Sequence, residues 1–389
     1  MSNLDRFRFV REGFFFFPAA FSLIGIISIL SLQNCKNFYV EKELRADARE
    51  YSQAVLRQQQ ISKSVTAITE TDPIADTTPD DDAADDPAIW YNNTLPDRSV
   101  VFGTNKKGGI YSYDLNGKTI QYSPVGKINN IDIRQGATLG EEPVDVLVGS
   151  NRTDNSVVLF IINENGRIDK KPNHIIPLGN FEPYGLCLYK SESNALFVFV
   201  NNKFGEVHQI AVDWDSKNQL VTSIVRKLKL KTQVEGMAVD DKRHMLYVGE
   251  EQGGIYAYSA WPSASVDGEL LEGSTSANPN IVFDIEGLAL FPPRYLLASI
   301  QGNFSYAIFD LEKRKYLDSF IIREKNIDGV EETDGIDIVA RGLNATYPNG
   351  LLVAQDGFNF DDSIKQNQNF KFVDLGEVLD LFNLKLTSN

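Results

Sequence analysis

Aspartates concentrate in one short stretch of the chain. Five of the seven residues from 80 to 86 are aspartate, and the run leads directly into the apolar segment Ala88-Ile89-Trp90. Unscreened carboxylates ~4 Å apart repel by on the order of 4 kcal/mol at an effective dielectric constant near 20. The stretch therefore either points into water or surrounds a hard cation such as Ca²⁺, which takes ~6–8 oxygen ligands.

Composition excludes several other chemistries. The formal charge of −15 argues against a nucleic-acid partner, because phosphate-backbone binding needs clustered Lys and Arg. His174, His208 and His244 are scattered without ligand spacing, so a zinc site or a histidine phosphatase centre is not expected. Cys35 and Cys187 lie in very different segments and indicate no disulfide framework, and no Ser-His-Asp or Cys-His arrangement is evident.

A repeat predicts the elements that position these residues. A short motif recurs in six copies: an acidic or polar residue comes first, usually a glycine follows it, and an apolar run comes last. The copies start at Asp86, Asn129, Tyr184, Glu235, Glu286 and Asp334, at steps of 43, 55, 51, 51 and 48 residues. Each copy has a second apolar run about ten residues later, and Gly254-Ile255-Tyr256-Ala257-Tyr258 is typical of a third strand. We expect an all-β fold, a six-bladed propeller with four-stranded antiparallel blades; strand-forming composition disfavours a helical solenoid.

Superposed copies should bring their polar turn residues together near the propeller axis. The acidic and amide set comprises Asp85, Asp86, Asn130, Asp132, Glu235, Glu250, Glu251, Asp284, Glu286, Gln301, Asp334, Asp337, Gln355 and Asp356. The cationic and phenolic set comprises Lys106, Lys107, Arg152, Tyr184 and Lys203. The first set suits several Ca²⁺ ions and the second suits phosphate. The alternative is that these residues cap turns or lie in water, as polar loop residues commonly do.

At this point the chain resembles the alkaline β-propeller phytases, from about Thr66 to Phe372 and through all six copies. The stretches that carry the resemblance include Asp85-Asp86-Pro87-Ala88-Ile89-Trp90, Thr104-Asn105-Lys106-Lys107, Asn129-Asn130-Ile131-Asp132, Ser150-Asn151-Arg152, Glu235-Gly236-Met237-Ala238, Asp284-Ile285-Glu286-Gly287 and Thr333-Asp334-Gly335.

The resemblance implies a Ca²⁺-dependent phosphomonoesterase that hydrolyses phytate, or calcium-phytate, stepwise to lower inositol phosphates, with a calcium-bound water as the attacking group. Phosphate-holding residues would be Lys106 or Lys107, Arg152 and Lys203, with Tyr184 beside them. Ligands of the catalytic calcium cluster would be Asp85, Asp86, Glu235, Glu250 or Glu251, Glu286, Gln301 and Asp334. Asn130, Asp132, Asp284 and Gln355 would be further ligands, some at structural sites.

One position departs from the family pattern. Phe204 follows Lys203 where the family commonly has an acidic residue, and Glu206 stands two places further on. This weakens the expectation of a second phosphate site. Two other functions are open. One is another calcium-dependent propeller hydrolase, such as a lactonase or esterase, which would leave Lys106, Lys107, Arg152 and Lys203 without a role. The other is a non-catalytic calcium-stabilised propeller, for which Phe204 is the one local indication.

The N-terminus predicts export. Arg6, Arg8 and Arg11 precede an apolar stretch from Phe14 to Leu32, and Cys35 follows as in a bacterial lipoprotein signal, although Gln33 and Asn34 replace the usual small residues. An uncleaved membrane anchor is the alternative. We expect a signal over 1–35, a polar tether over 36–71, and a propeller over 72–389. The protein should be a monomer, membrane-attached or periplasmic or extracellular.

Overall fold

The computed structural model describes residues 49–75, 77–78, 81–139, 142–215, 219–292, 294–361 and 364–385. The chain divides into two units, Met1–Gln53 and Ala54–Asn389, and the sheets lie in the second. The predicted signal over 1–35, its Cys35, and the tether up to residue 48 lie outside the described residues, as does Asp80. Within the described part, no helix is both long and apolar enough to span a membrane.

Six antiparallel sheets of four strands each make up six blades, so the predicted propeller is confirmed. Blade 1 contains β3 (Ala84–Trp90), β4 (Val100–Asn105), β5 (Gly109–Tyr113) and β6 (Thr119–Ser123). Blade 2 contains β7 (Ile128–Leu139), β8 (Glu142–Asn151), β9 (Ser156–Ile162) and β10 (His174–Pro177). Blade 3 contains β11 (Leu186–Lys190), β12 (Leu196–Asn201), β13 (Glu206–Trp214) and β14 (Leu220–Lys229).

The second half of the chain repeats this arrangement. Blade 4 contains β15 (Val234–Asp240), β16 (Met245–Glu250), β17 (Gly254–Ser259) and β18 (Glu269–Leu270). Blade 5 contains β19 (Ile285–Phe291), β20 (Tyr295–Ile300), β21 (Ser305–Asp310) and β22 (Lys315–Arg323), extended by the parallel strand β1 (Ser64–Thr66). Blade 6 contains β23 (Ile336–Val339), β24 (Leu351–Asp356), β27 (Asn369–Asp374) and β2 (Thr69–Glu70). The remaining elements are the pair β25 (Phe360–Asp361) and β26 (Ile364–Lys365), helix α1 over 49–58, helix α2 (Leu375–Phe382), and two short 3-10 helices, Pro96–Arg98 and Gln301–Asn303.

The innermost strands β3, β7, β11, β15, β19 and β23 contact one another in a closed ring. Six buried apolar clusters lie between neighbouring blades; the cluster between blades 1 and 2, for example, includes Phe102 and Phe160. Cys187 is buried in β11. Because each blade buries its two faces against neighbours, the ring holds the ends of the inner strands at fixed positions.

The N-terminal part of the chain closes the ring. β2 pairs antiparallel with β27, so blade 6 takes its outermost strand from the start of the propeller and the rest from the end of the chain. β1 likewise extends blade 5. Strand residues 64–66 and 69–70, which precede the boundary predicted at residue 72, thus pair within the sheets of blades 5 and 6. Two strands of two and three residues carry no readable hydrophobic alternation.

A buried lysine holds this closure together. Lys371 lies in β27 with a fully buried side chain, and its Nζ is 2.6 Å from Glu70 Oε2 of β2 and 3.3 Å from Asp356 Oδ2 of β24. Its Nζ also lies 2.5 Å from Asp328 Oδ1 and donates to Asn359 Oδ1 at 2.9 Å. One ammonium group thus joins three strands and two loops.

Candidate active site

The inner strands of four blades have a register shift near their first residues, where the polar residues of the repeat lie. The strand register shifts between Ala84 and Pro87 in blade 1, and between Val234 and Met237 in blade 4. Blades 2 and 5 shift at the equivalent place. A β-bulge redirects the side chains of its extra residues. The bulged residues are the polar pairs Asp85-Asp86, Asn129-Asn130, Glu235-Gly236 and Glu286-Gly287, which the bulges place at one face of the propeller.

The recurring glycine is required by close approach between blades. A Cβ atom on Gly185 would lie less than 3.0 Å from the carbonyl oxygen of Glu235, and one on Gly236 would meet that of Glu286 equally closely. Gly287 and Gly335 make the corresponding contacts with the next blade. Each polar residue therefore packs its backbone against the glycine of the preceding blade, which keeps the side chains around one centre.

The second strand of each blade returns to the same face. Lys106, Arg152, Glu251 and Gln301 each follow directly after a second strand, namely β4, β8, β16 and β20. The backbone N–H of each donates to a carbonyl just before the inner strand of its own blade. These residues consequently stand beside the bulged pairs, in agreement with the predicted convergence of the repeats.

Three glutamates form the centre of the site. Carboxylate oxygens of Glu235, Glu251 and Glu286 lie within 4.8 Å of one another, and all three residues are buried. Burial, with Gln233 opposing it and Glu235 adding to it, raises the pKa of Glu251 to about 7. Burial and the charge of Glu235 also raise the pKa of Glu286 well above its usual range. The chain therefore concentrates negative charge where water cannot screen it.

A second carboxylate pair adjoins the glutamates and surrounds Lys106. Lys106 Nζ lies 3.1 Å from Asp85 Oδ2, 2.9 Å from Asp334 Oδ2 and 2.7 Å from Asp82 Oδ1. Gln301 Nε2 donates to Asp334 Oδ1 at 2.9 Å. Burial raises the pKa of Asp334 to about 6 although Lys106 opposes the shift. Lys106, predicted to hold phosphate, is instead enclosed by carboxylates in this structure.

Arg152 and Lys203 lie by the ring of Tyr184, which adjoins the glutamates. Lys203 Nζ lies 4.3 Å from the centre of the Tyr184 ring, and the Arg152 guanidinium carbon lies 5.9 Å from it. Burial, and after it the charges of Glu235 and Glu286, raise the pKa of Tyr184, so its hydroxyl stays protonated. Arg152 also approaches the exposed Glu182 at 3.4 Å. Arg152, Tyr184 and Lys203 are thus brought together as predicted.

Asn129 bonds to both the glutamate cluster and Arg152, and it was not among the predicted site residues. Its Nδ2 donates to Glu235 Oε1 at 2.8 Å and to Asn130 Oδ1 at 2.9 Å, and its Oδ1 accepts from Arg152 Nη1 at 3.2 Å. The side chain is fully buried. The sequence offered one signal: Asn129 is the first of two adjacent asparagines, at a repeat position equivalent to Asp85.

Asp86, Asn130 and Gln355 surround the centre, where Asp86 and Gln355 accept from backbone N–H groups and Asn130 accepts from Asn129. Asp86 Oδ2 accepts from the N–H of Ile131, and Gln355 Oε1 accepts from the N–H of Asp334. Asn130 is buried beside Asn129. Burial raises the pKa of Asp86 well above its usual range. These side chains support the bulges around the site.

Four other predicted residues are not brought into the centre. Asp132 lies in the central cavity, which has a volume of about 740 Å³, and pairs with Arg134 at 2.9 Å. Glu250 Oε1 accepts from the N–H groups of Lys231 and Thr232, both at 2.6 Å, so Glu251 is the member of that pair in the cluster. Asp284 and Lys107 lie at the edge: Asp284 is bonded to Gln252, and Lys107 is half exposed, 4.0 Å from Asp81. Their assignment as ligands or phosphate contacts stays a prediction.

The donor set of the centre fits divalent cations. Asp85 Oδ1, Glu251 Oε1 and Glu286 Oε2 are buried and accept no hydrogen bond from any residue the structure describes. Buried carboxylate oxygens without donors are costly unless a cation neutralises them. An all-oxygen set of carboxylates and an amide favours a hard cation such as Ca²⁺ over softer transition metals.

Comparisons with known proteins agree with this geometry. The family model described as Phytase matches residues 42–387. A 3-phytase from Bacillus subtilis (strain 168) is 39% identical over 336 residues, covering 82% of this chain and 87% of that protein. A chain from a crystal structure of a nidogen/laminin complex shares 14% identity at a TM-score of 0.42, over 61% of this chain and 79% of its own, too little to support any argument.

Proposed function

Because the chain belongs to the phytase family and is an enzyme of that class, we propose that it removes phosphate stepwise from phytate, myo-inositol hexakisphosphate, in a Ca²⁺-dependent reaction. The observation that carries this proposal is the pairing of opposite chemistries in one site. Three buried carboxylate oxygens have no hydrogen-bond donor, their group adjoins Tyr184, and Arg152 and Lys203 lie over the Tyr184 ring.

The acidic side would hold the metal. Glu235, Glu251, Glu286, Asp85 and Asp334 would supply most of the oxygen ligands. Bound Ca²⁺ would neutralise these carboxylates, polarise the phosphate ester and stabilise the negative charge that develops on the leaving oxygen. Without such charge the site would repel phytate, because the chain's own carboxylates outnumber its cations there.

The cationic side would hold the phosphate. The planar guanidinium of Arg152 can bind two phosphate oxygens at once, and Lys203 adds a point charge. Asn129 fixes one nitrogen of Arg152, so the guanidinium is oriented before substrate arrives. Tyr184 stays protonated and can donate a hydrogen bond to a phosphate oxygen. The described residues near the centre include no nucleophile paired with a base, which favours direct attack by water.

Phosphate release from phytate tests the proposal. We expect the purified chain to liberate inorganic phosphate with Ca²⁺ present and to stop when EGTA removes it. Arg152→Ala should lower the rate by roughly 10²-fold or more, as loss of a charge-stabilising group does, without changing the thermal midpoint.

Arg98→Ala is the matched control. Arg98 is exposed in the connection between β3 and β4, at the other end of the inner strand, and its loss should leave the rate unchanged. Absence of calcium-dependent release from phytate would refute the proposed function. A fully active Arg152→Ala would remove Arg152 from the proposed phosphate site.

A further inference from the structure

Phe204 is the most exposed large hydrophobic side chain among the described residues, at 75%. It stands at the tip of the hairpin between β12 and β13, directly after Lys203. Leaving an aromatic side chain in water forgoes the stabilisation that burial would bring. Its position beside a proposed phosphate contact suggests that a ligand covers it.

The hairpin holds Phe204 in a defined place. Asn202 Oδ1 accepts from the N–H groups of Phe204 and Glu206, and Lys229 Nζ donates to the carbonyl of Phe204 at 2.6 Å. Gly205 has a φ of +76°, in the left-handed region that favours glycine. The ring therefore projects from a bonded backbone turn.

A cavity of about 430 Å³ is lined by both Phe204 and Lys203. Phe181, Pro183 and Tyr184 line it as well. Phe181 is stacked on His208 with ring centres 4.2 Å apart, so this wall is supported from behind. The cavity thus combines one cation with several aromatic side chains.

The charges at the cavity disfavour a second phosphate group. Glu182 and Glu206 also line it, against a single lysine. Glu182 is exposed beside Arg152, and Glu206 accepts from Asn202 Nδ2. Two carboxylates would repel a further phosphate, whereas an uncharged aromatic ring could lie between Phe204 and Phe181 without that penalty.

We propose that this cavity is a leaving-group subsite for aryl groups, so that the enzyme also binds and cleaves aryl phosphomonoesters. The inference rests on the proposed function for the cleavage step. In that step water adds its oxygen to phosphorus, the bond between phosphorus and the aryl oxygen breaks, and the leaving oxygen takes the electron pair. A proton from the water then completes the phenol, and inorganic phosphate is released.

Binding of two phosphonates, which cannot be hydrolysed, tests the subsite without turnover. With Ca²⁺ present, calorimetry should show phenylphosphonate binding about tenfold more tightly than methylphosphonate, as expected for one aromatic contact and the burial it brings. Phe204→Ser should reduce this preference to about twofold or less, and Phe204→Tyr should restore it. Ile175→Ser removes a comparably exposed apolar side chain from the outer strand β10 and should keep the preference.

The outcomes separate the two proposals. Equal binding of the two phosphonates, no binding of either, or a preference that persists in Phe204→Ser would overturn the subsite. A protein that prefers phenylphosphonate but releases no phosphate from phytate would refute the proposed function while supporting the subsite. Phenyl phosphate should also be hydrolysed, with a kcat/KM that falls in Phe204→Ser by the same factor as phenylphosphonate binding.

Discussion

Two groups of carboxylates in this propeller differ in what neutralises them. In blade 6, Glu70, Asp328 and Asp356 surround Lys371, so the chain supplies the cation itself. At the centre, Glu235, Glu251 and Glu286 meet with no lysine or arginine of the described chain paired to them, and oxygens of two of the three have no donor.

The difference separates a structural role from a functional one. An ammonium group fixed on β27 cannot leave, so the blade 6 group joins the ends of the chain permanently. A site that must accept a metal and a phosphate needs carboxylates whose counter-charge can come from solution. Lys106 is intermediate, because it partly neutralises Asp85 and Asp334 but not the three glutamates.

Removing the internal cation should have the largest effect. Lys371→Met keeps most of the side-chain volume but leaves the buried Asp356 and the partly buried Asp328 without a counter-charge, so we expect the free energy of unfolding to fall by roughly 3–5 kcal/mol. Denaturant unfolding followed by circular dichroism measures it.

Asp356→Asn added to Lys371→Met provides the control. Because it removes one of the uncompensated charges, the double variant should lose less stability than the sum of the two single variants. A Lys371→Met protein within about 1 kcal/mol of the parent would show that the cage contributes little, contrary to the usual cost of breaking a buried pair.

Removing one central carboxylate should affect activity and spare the fold. Glu235→Gln takes away one of three mutually repelling charges, so the metal-free protein should be no less stable. Phosphate release from phytate should fall by roughly 10²–10³-fold, the usual range for a single electrostatic group at a reaction centre. The rise in thermal midpoint on adding Ca²⁺ should shrink as well.

Glu312→Gln is the comparison variant, since Glu312 is half exposed and pairs with Arg294 beyond the far end of β21. It should retain both the rate and the calcium response. If Glu235→Gln lost stability as Lys371→Met does, the central group would be structural and the contrast between the two regions would fail.

The sequence predicted the framework well because its signals are local. Each blade repeats the same polar residue, glycine and strand, and the glycine is needed wherever one blade packs closely on the next. The convergence of Glu235, Glu251 and Glu286 followed from that repeat. Ca²⁺ as the ion and the stepwise reaction stay proposals.

What the sequence did not predict depends on side-chain direction and long-range pairing. Asp132 and Asn129 are three positions apart, yet the strand carries Asp132 into the central cavity to Arg134 and leaves Asn129 at the site. Glu250 and Glu251 are adjacent in sequence, and the geometry of the turn directs Glu250 to the backbone N–H groups of Lys231 and Thr232. The pairing of β2 with β27 joins residues about three hundred positions apart.

The smallest expected effect is at Asn129, which touches both halves of the site. Asn129→Ala would free the Arg152 guanidinium and remove a donor from Glu235, so kcat/KM for phytate should fall about tenfold, the scale of one hydrogen bond to a charged group. If Asn129 positions Arg152, the affinity for inorganic phosphate should fall with it, whereas a merely structural role would lower the thermal midpoint instead. Asn116→Ala, in an exposed turn between β5 and β6, should change neither. Full activity in Asn129→Ala would mean that the hydrogen-bonded link from Glu235 through Asn129 to Arg152 contributes nothing to turnover.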